Sequence, residues 1–443
     1  MTPKTTRISI FGMGYVGCVS GACLASLGHS VVGVEPNRAK ADLINAGKSP
    51  IVETGLDELL EGTVRSGQFR ATDDWRAAIG ETDLALVCVG TPSRANGSID
   101  LRYVRRVCEQ IGQALRDRKE FFTVVIRSTI VPGSVEDQLI PILEKESGRK
   151  AGVDFGVCMN PEFLRESTSI LDFHNPPKTV IGEFTPQSGE LLASIYAHLP
   201  APLIRTSIRV AEMVKYVDNC FHALKVTFAN EVGGFCKELK VDSHQVMDIF
   251  CKDTKLNLSP YYLKPGFAFG GSCLPKDLRA LTYEARARDL DLPMLSSILE
   301  SNRRQIYRVA NRLLDHQGKR VGILGLSFKA GSDDLRESPI VELVEFALGK
   351  GFRLGIFDRH VSLARLTGAN KDYIERQIPH ISSLLRNSVT ELVAESDVIV
   401  ISYKDEAFKE ALTANGAGKT IIDLVRLFPV PPENGAKYEG ICW

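Results

Sequence analysis

The chain lacks several features that mark particular classes of protein. Neither charge is in surplus, because Lys+Arg and Asp+Glu both number 54 in its 443 residues. The overall balance therefore does not indicate nucleic acid or an anionic membrane surface as a partner. No apolar run reaches the length of about 18 residues that a transmembrane helix needs. No signal peptide is visible before residue 8, and we therefore expect a cytoplasmic protein without a membrane partner.

Paired cysteine motifs are also missing. The ten cysteines are scattered and include no Cys-x-x-Cys pair, which argues against a disulfide scaffold and against a zinc site. We expect reduced thiols and no bound metal. The composition, 44% hydrophobic and 24% charged, is that of a globular protein with apolar material for several cores.

What is present is an α/β pattern that occurs twice. Short, nearly continuous apolar runs alternate with helical patterns, as in parallel sheets that are buried on both faces. We predict strands at 7–12, 31–35, 84–90, 122–129 and 155–162, and again at 320–324, 353–357, 397–402 and 420–424. The predicted fold class is α/β, with two Rossmann-like doubly wound domains.

A helical block separates the two patterns. Residues 207–239 contain no proline, and their apolar residues recur at helical spacing, which predicts one long central helix. Shorter helices are predicted at 243–250, 276–289 and 294–314, and the Pro- and Gly-rich tail from 428 is predicted to be irregular. We therefore expect domains at 1–205, 206–317 and 318–443.

The first strand leads into a dinucleotide-binding signal. Gly12-Met-Gly-Tyr-Val-Gly17 follows that strand and opens a helix. Its glycines permit a tight turn, close approach of a pyrophosphate and close helix–strand packing. Glu35 ends the second strand, where a carboxylate accepts hydrogen bonds from the adenosine ribose and repels a 2′-phosphate. We predict NAD; Arg38 and Lys40 leave NADP open, and a glycine-rich turn without a ligand is the alternative.

The most unusual segment lies at residues 267–277. Two glycines precede Cys273 there, and a helical pattern follows it. A cysteine at the start of a helix gains thiolate character from the helix dipole. Cys273 is therefore a candidate nucleophile, with a chemically inert thiol as the alternative. The other nine cysteines are interpreted as ordinary core or surface residues.

Polar residues with a possible chemical role lie in three further places. Lys215, Asn219 and His222 share one stripe of the long helix. Glu166 follows the fifth strand, and the carboxyl ends of strands are where ligands bind in open α/β sheets. A snorkelling surface lysine, a packed histidine and a solvated helical carboxylate are the ordinary alternatives. The loop 325–338 carries a Lys and an Arg that suit phosphate contacts, or it is a solvated loop.

Taken together, these segments resemble the UDP-glucose/GDP-mannose dehydrogenase family over essentially the whole chain. The resemblance is carried by Gly12-Met-Gly-Tyr-Val-Gly17, Val89-Gly-Thr-Pro92, Arg127-Ser-Thr129, Asn160-Pro-Glu-Phe-Leu164, Glu212-Met-Val-Lys-Tyr216, Gly270-Gly-Ser-Cys-Leu-Pro-Lys-Asp277 and Phe328-Lys-Ala-Gly331. Closer similarity to the bacterial branch that oxidises GDP-mannose is carried by Lys255-Leu-Asn-Leu-Ser259, Tyr261-Tyr262, Pro265-Gly-Phe-Ala-Phe-Gly-Gly271, Asp334-Leu-Arg-Glu-Ser-Pro339 and Glu439-Gly-Ile-Cys-Trp443.

The resemblance implies a four-electron oxidation of the C6 alcohol of GDP-mannose to a carboxylate, with two NAD in succession. The product would supply a precursor for an alginate-type polysaccharide. Cys273 would attack the C6 aldehyde to give a thiohemiacetal, and a further oxidation would give a thioester that water hydrolyses. Lys215 and Asn219 would stabilise the developing oxyanion. The proton-transfer candidates are Asp277, Thr129 and Glu166.

The same resemblance implies the binding residues and the assembly. The cofactor residues would be Gly12, Gly14, Tyr15, Val16, Gly17, Glu35, Lys40, Thr91, Thr129 and Arg336. The nucleotide-sugar residues would be Glu166, Lys215, Asn219, His222, Asn230, Tyr261, Tyr262, Lys264, Phe267 and Lys329. Domain 1–205 would bind NAD, 206–317 would form the dimer, and 318–443 would bind the nucleotide-sugar. The implied assembly is a homodimer or higher homo-oligomer with sites shared between subunits.

Three departures from the family pattern bear on the cofactor and the substrate. Glu35 stands where many relatives have Asp, and Lys264 stands where close relatives carry Arg. Asp423-Leu-Val-Arg426 departs from the Asp-Gly-Arg-type segment of many UDP-sugar members, which favours a non-UDP substrate. A UDP-glucose 6-dehydrogenase with the same mechanism is the alternative. A non-catalytic NAD-binding regulator is a third interpretation, and the set of candidate catalytic residues argues against it.

Overall fold

The computed structural model describes residues 5–238, 240–254, 262–287, 289, 292–361 and 368–443. The chain divides into two compact units, Met1–Asp218 and Asn219–Trp443. Each unit is built on its own largely parallel sheet with helices around it, which confirms the predicted α/β class with two Rossmann-like halves. The predicted boundaries near 205 and 317 stay a prediction.

The first unit contains an eight-stranded sheet. Its strands are β1 (Arg7–Phe11), β2 (Ser30–Val34), β3 (Phe69–Thr72), β4 (Leu84–Val87), β5 (Phe122–Ile126), β6 (Phe155–Met159), β7 (Thr179–Glu183) and β8 (Leu203–Thr206). They lie in the order β3-β2-β1-β4-β5-β6-β7-β8, and β6 and β7 are antiparallel while the other neighbours are parallel. The five predicted strands are confirmed. The sequence pattern missed β3, β7 and β8, of which β3 and β8 lie at the edges and expose polar side chains.

Helices cover both faces of this sheet. They are α1 (Tyr15–Ser26), α2 (Arg38–Asn45), α3 (Leu56–Arg65), α4 (Trp75–Gly80), α5 (Arg102–Leu115), a π-helix (Val135–Leu139), α6 (Ile140–Ser147), α7 (Ser169–His174) and α8 (Pro186–Tyr196). Side chains of β1 alternate between the faces: Phe11 packs in one core, and Ile8 and Ile10 in the other. Two-sided burial explains why this strand reads as a continuous apolar run.

The long helix α9 spans Ile208–Glu238, 31 residues, as its uninterrupted helical spacing predicts. Its first turn packs Ile208 and Ala211 into a core of the first unit. Further along, Cys220 and Ala223 belong to a core of the second unit. One face keeps an exposed apolar stripe: Val210, Met213, Val217, Phe221 and Phe228.

The second unit continues with helices and then a five-stranded sheet. Its helices are α10 (Ser243–Phe250), α11 (Leu274–Arg286), α12 (Pro293–Leu314), α13 (Pro339–Gly349), α14 (Gly368–Gln377), α15 (Ile381–Leu384), α16 (Val389–Glu395) and α17 (Glu406–Asn415). Its strands are β9 (Arg320–Leu324), β10 (Arg353–Phe357), β11 (Val398–Ile401), β12 (Thr420–Asp423) and β13 (Lys437–Gly440). The order is β10-β9-β11-β12-β13, with parallel neighbours.

The prediction of an irregular tail is wrong at β13. The Tyr438 hydroxyl donates to Asp423 Oδ2 at 2.8 Å, and the Trp443 indole N–H donates to the Tyr438 hydroxyl at 3.2 Å. These contacts hold the tail beside β12. They depend on side chains of Asp423, Tyr438 and Trp443, so the Pro and Gly content of the tail does not predict them. Within the described ranges, no helix is both long and apolar enough to cross a membrane.

Candidate functional site

The glycine-rich turn has the geometry that a dinucleotide requires. It lies between β1 and α1, and Gly12 adopts φ +93°, which favours glycine. A Cβ on Gly17 would lie 2.0 Å from the Gly12 carbonyl oxygen, so α1 can approach the turn only with glycine there. A Cβ on Gly14 would meet no heavy atom within 4 Å. The space beside Gly14 and the free start of α1 fit a pyrophosphate.

Glu35 follows β2 and lies beside this turn. Its Oε2 accepts from the Met13 N–H at 3.3 Å, and its Oε1 accepts from the Asn37 N–H at 3.0 Å. The carboxylate is thus fixed where the ribose of a bound dinucleotide is expected. Lys40 lies in the first turn of α2, where its N–H donates to the Asn37 side chain at 3.4 Å. Turn and carboxylate together fit NAD.

Two threonines from neighbouring strand ends are brought together. The Thr91 hydroxyl, after β4, donates to the carbonyl of Thr129, after β5, at 2.8 Å. Both therefore lie at the same edge of the sheet as the glycine-rich turn, since the parallel strands β1, β4 and β5 all end there. Their role beside the cofactor stays a prediction.

Lys215 is buried and paired, so the alternative of a snorkelling surface lysine is wrong. Its Nζ lies 2.9 Å from Glu162 Oε1, and the two residues are only 6% and 8% exposed. Glu162 Oε2 also accepts from the Leu164 N–H at 2.8 Å. Burial raises the pKa of Glu162. The charge and hydrogen bond of Lys215, together with the Arg127 charge and the Leu164 N–H, lower the pKa by more, and the net shift is downward.

The sequence pattern favours Glu166 as the candidate, whereas the structure pairs Lys215 with Glu162. The signal was available, because Glu162 comes sooner after β6 and lies closer to the strand end where ligands bind. Glu166 is half-buried in a turn. Glu53, which lies just before α3, accepts from the Ser167 and Ser169 N–H groups of this segment. Sequence reasoning missed Glu53 altogether, because its partners are backbone N–H groups far along the chain.

Cys273 is the N-cap residue of α11 and the one exposed thiol of the ten, all of which lie in described ranges. The helix begins at Leu274, two residues before the predicted start. Asp277, one turn later, is buried, and its N–H donates to the Cys273 carbonyl at 2.9 Å. Its side chain accepts from the Asn219 amide, and Lys276 Nζ lies 2.8 Å from Oδ1. The structure thus joins the predicted residues Asn219 and Asp277 directly.

Several candidate nucleotide-sugar residues also meet in the second unit. The rings of His222 and Tyr262 lie 5.0 Å apart. Asn230 donates to the Phe267 carbonyl at 2.9 Å and accepts from the Gly266 N–H at 2.9 Å. Tyr261 lies outside the described residues.

A cavity of about 760 Å³ in the second unit has more basic than acidic side chains in its lining: Lys252, Lys264, Lys404 and Arg426 against Asp242 and Asp248. Burial and the Lys264 charge lower the pKa of Lys404. Arg426 binds the Asp242 carboxylate at 2.6 Å and, by that hydrogen bond, lowers the pKa of Asp242 to about 2. Such a group of cations suits a phosphate-bearing ligand.

In the loop after β9, the first backbone N–H groups donate hydrogen bonds to a side chain of the protein itself. Leu326 and Ser327 donate their N–H groups to Asp358 Oδ2 at 2.7 and 2.9 Å. A phosphate therefore cannot bind these two groups while Asp358 holds them. Arg336 binds Asp334 at 2.6 Å, and Lys329 Nζ lies 5.4 Å from the Phe328 ring centre.

Comparison with known proteins covers the whole chain. Residues 6–200, 209–304 and 322–429 match the NAD binding, central and UDP binding domains of the UDP-glucose/GDP-mannose dehydrogenase family. GDP-mannose 6-dehydrogenase from Pseudomonas aeruginosa (strain PAO1) is 54% identical, covering 99% of this chain and 100% of that protein.

Two solved structures extend the comparison. A ternary complex of GDP-mannose dehydrogenase from P. aeruginosa is 54% identical, covers 99% of this chain and 100% of that one, and has a TM-score of 0.57. A UDP-glucose dehydrogenase from Pyrobaculum islandicum is 32% identical, covers 100% of this chain and 98% of that one, and has a TM-score of 0.89.

Proposed function

The chain belongs to the UDP-glucose/GDP-mannose dehydrogenase family, and on that premise we propose that it oxidises GDP-mannose at C6 to GDP-mannuronate with NAD. The full-length 54% identity to a GDP-mannose 6-dehydrogenase supports this choice of substrate. The single structural observation that carries the chemistry is Cys273, an exposed thiol at the start of a helix with a buried carboxylate one turn away.

Cys273 is the proposed nucleophile. Its sulfur adds to the C6 aldehyde and forms a thiohemiacetal, whose oxidation leaves a thioester. Water then adds to the thioester carbonyl, and the C–S bond breaks with the Cys273 thiolate as the leaving group. The sugar is released as the C6 carboxylate, and the thiolate takes up a proton. This covalent step explains how the aldehyde is kept from release between the two oxidations.

The polar residues have proposed roles that follow their surroundings. Lys215 and Asn219 are donors for the oxygen at C6, which carries negative charge in the alkoxide and tetrahedral states. Asn219 is fixed by Asp277, and Lys215 by Glu162. Fixed donors need no reorganisation as the charge develops. The proposed proton-transfer residues are Asp277, Thr129 and Glu166.

NAD, when bound, accepts two electrons in each oxidation. The proposed residues that hold it are Gly12, Gly14, Tyr15, Val16, Gly17, Glu35, Lys40, Thr91, Thr129 and Arg336. Glu35 binds the ribose, and the start of α1 binds the pyrophosphate.

The proposed nucleotide-sugar residues are Glu166, Lys215, Asn219, His222, Asn230, Tyr261, Tyr262, Lys264, Phe267 and Lys329. Among them, Lys264 contributes to the basic cavity, whose charge supports a phosphate-bearing substrate. A UDP-sugar is the second candidate, favoured by the match of residues 322–429 to a UDP binding domain. Incubation with NAD and either GDP-mannose or UDP-glucose, followed by mass spectrometry of the product, separates the two. Acid formed only from UDP-glucose would reassign the substrate.

The exposed apolar stripe of α9 supports a homodimer or higher homo-oligomer built on this helix, with sites shared between subunits. We place the protein in the cytoplasm, where its ten free thiols would stay reduced. The product would feed synthesis of an alginate-type polysaccharide. The division into an NAD-binding domain 1–205, a dimerisation domain 206–317 and a nucleotide-sugar domain 318–443 belongs to the same proposal.

A further inference from the structure

We infer that Glu53 is a positioning residue whose carboxylate holds the turn carrying Glu166 against the glycine-rich turn. Glu53 lies just before α3 and is 8% exposed. The inference rests on the proposed function, because Glu166 and Tyr15 take their importance from it. Glu53 itself touches neither substrate nor cofactor in this scheme and acts through the two segments that it joins.

Three donors converge on the Glu53 carboxylate. The Tyr15 hydroxyl, at the first residue of α1, donates to Oε2. The Ser167 N–H donates to the same oxygen at 2.7 Å, and the Ser169 N–H donates to Oε1 at 2.9 Å. Both oxygens are therefore used, and hydrogen bonds to an ionised acceptor are the strong ones. One side chain thus connects the cofactor turn to the segment after β6.

The backbone beside Glu166 is held in an uncommon conformation. Ser167 has φ 71°, in the left-handed region that residues other than glycine rarely adopt. Its N–H belongs to the peptide bond that follows Glu166, so the hydrogen bond to Glu53 fixes the backbone directly after that residue. On the other side, Asp172 accepts from the Arg165 N–H at 3.0 Å and from Arg165 Nε at 2.9 Å. Two carboxylates therefore fix the backbone on both sides of Glu166.

This arrangement sets the position of Glu166 relative to the cofactor turn. The Tyr15 hydroxyl also lies 3.3 Å from the Arg165 carbonyl, so the two segments are in direct contact at this point. Loss of the Glu53 bridge would let the turn relax from its left-handed conformation. A displacement of about 1 Å at a reacting group can cost roughly 10²-fold in rate.

The decisive variant is Glu53→Gln, which keeps the side-chain shape but replaces one acceptor oxygen by an NH₂ group. We expect kcat for GDP-mannose to fall by about 10- to 100-fold, while the Kd values for NAD and GDP-mannose change by less than about threefold. Adding Ser167→Gly should restore part of kcat, because glycine adopts the left-handed conformation without strain. Tyr15→Phe removes only the phenol hydrogen bond and should cost less than Glu53→Gln. An equal loss of NAD affinity in both variants would assign Glu53 to the cofactor alone and overturn the inference.

Two controls separate positioning from loss of stability. Glu58→Gln changes an exposed carboxylate on α3 and should leave kcat unchanged. Asp83 lies just before β4, and its carboxylate accepts from the Arg7 N–H at 3.1 Å. Asp83→Asn replaces one of its acceptor oxygens and should lower Tm without lowering kcat.

Hydrogen exchange tests the tether without turnover. The peptide spanning residues 163–170 should exchange about tenfold faster in Glu53→Gln, the scale of one lost hydrogen bond to a charged acceptor. Unchanged exchange, or faster exchange with wild-type kcat, would overturn the inference and leave the proposed function intact. A wild-type chain that does not oxidise GDP-mannose would instead refute the proposed function, and the exchange result alone would then decide whether Glu53 holds the turn.

Discussion

Lys215 Nζ and Glu162 Oε1 lie 2.9 Å apart, in a pair that is almost shielded from solvent. The pair joins α9 to the segment just after β6, within the first unit. A buried pair of this kind fixes a donor in place, but removing one partner leaves the other as an uncompensated buried charge. Activity and stability should therefore respond differently when one or both members are replaced.

For Lys215→Met, we expect kcat for GDP-mannose to fall by about 10²–10³, the usual effect of losing one donor to a developing oxyanion. Asn219→Ala should act similarly. Lys215→Met should also lower Tm, and the double variant with Glu162→Gln should regain Tm but not kcat, because the neutral pair no longer buries a charge. Steady-state kinetics and thermal unfolding of the wild type, the two single variants and the double variant measure kcat, KM and Tm. A rise in KM with kcat intact would assign Lys215 to ground-state binding.

Cys273→Ser should abolish steady formation of the acid, with a loss on the order of 10³ or more, typical of a removed nucleophile. Binding of NAD and GDP-mannose should be retained, because the hydroxyl is smaller than the thiol and the residue is exposed. Cys251→Ser, at a partly exposed thiol, is the matched control. NADH production at the wild-type rate would remove Cys273 from the mechanism.

Glu35→Ala should raise the KM for NAD and reduce discrimination against NADP. The variant loses the ribose acceptor and the repulsion of a 2′-phosphate, and the nearby Arg38 and Lys40 can then attract that phosphate. The measurement is kcat/KM with each cofactor, with Asp42→Ala, an exposed carboxylate on α2, as control. If the preference between NAD and NADP does not change, Glu35 does not face the ribose.

Glu212 makes the stability of the protein depend on pH, and its surroundings fix the sign of that dependence. Burial raises its pKa to about 7, although the N–H groups of Val135 and Gly133 donate to it at 2.9 and 2.6 Å. A raised pKa in the folded state contributes stability that is fully present below the ordinary value of 4.5 and is lost as pH rises through about 7. The charged neighbours are Glu136 and Arg209.

The free energy of unfolding of the wild type, relative to Glu212→Gln, should therefore decrease between pH 5 and pH 7. Its slope should be at most about 1.4 kcal/mol per pH unit. Urea unfolding of both proteins at several pH values measures this difference. A difference that does not change with pH in this window would show that Glu212 does not titrate there.

The apolar stripe of α9 predicts the effect of a charge on assembly. Val217 is 51% exposed, and Val217→Glu should dissociate the proposed dimer, because a carboxylate in an apolar interface must be desolvated. Val153→Glu, at a valine 70% exposed elsewhere in the first unit, should not. Analytical ultracentrifugation reports both. A wild-type monomer would refute the proposal.

Much of the fold could be predicted because its signals are local. α9 follows from unbroken helical spacing, and the two glycines and the proline that flank Cys273 predict its position at a helix start. The partners of two buried carboxylates could not be predicted, for the opposite reason. Glu53 meets Ser167 across 114 residues, and Glu212 meets Gly133 across 79. In both cases the partner is a backbone N–H, which every residue except proline carries and no sequence pattern marks.

The exposure of Cys273 has a practical consequence. Burial raises the pKa of Cys18, Cys88, Cys108 and Cys158 and keeps those sulfurs from reagents. A maleimide or a heavy atom applied briefly should therefore react at Cys273 before the partly exposed Cys251, giving a fluorophore or phasing site without any engineered cysteine. Mild peroxide should oxidise the same sulfur first, so the oxidation state of Cys273 would report the exposure of the protein to oxidants.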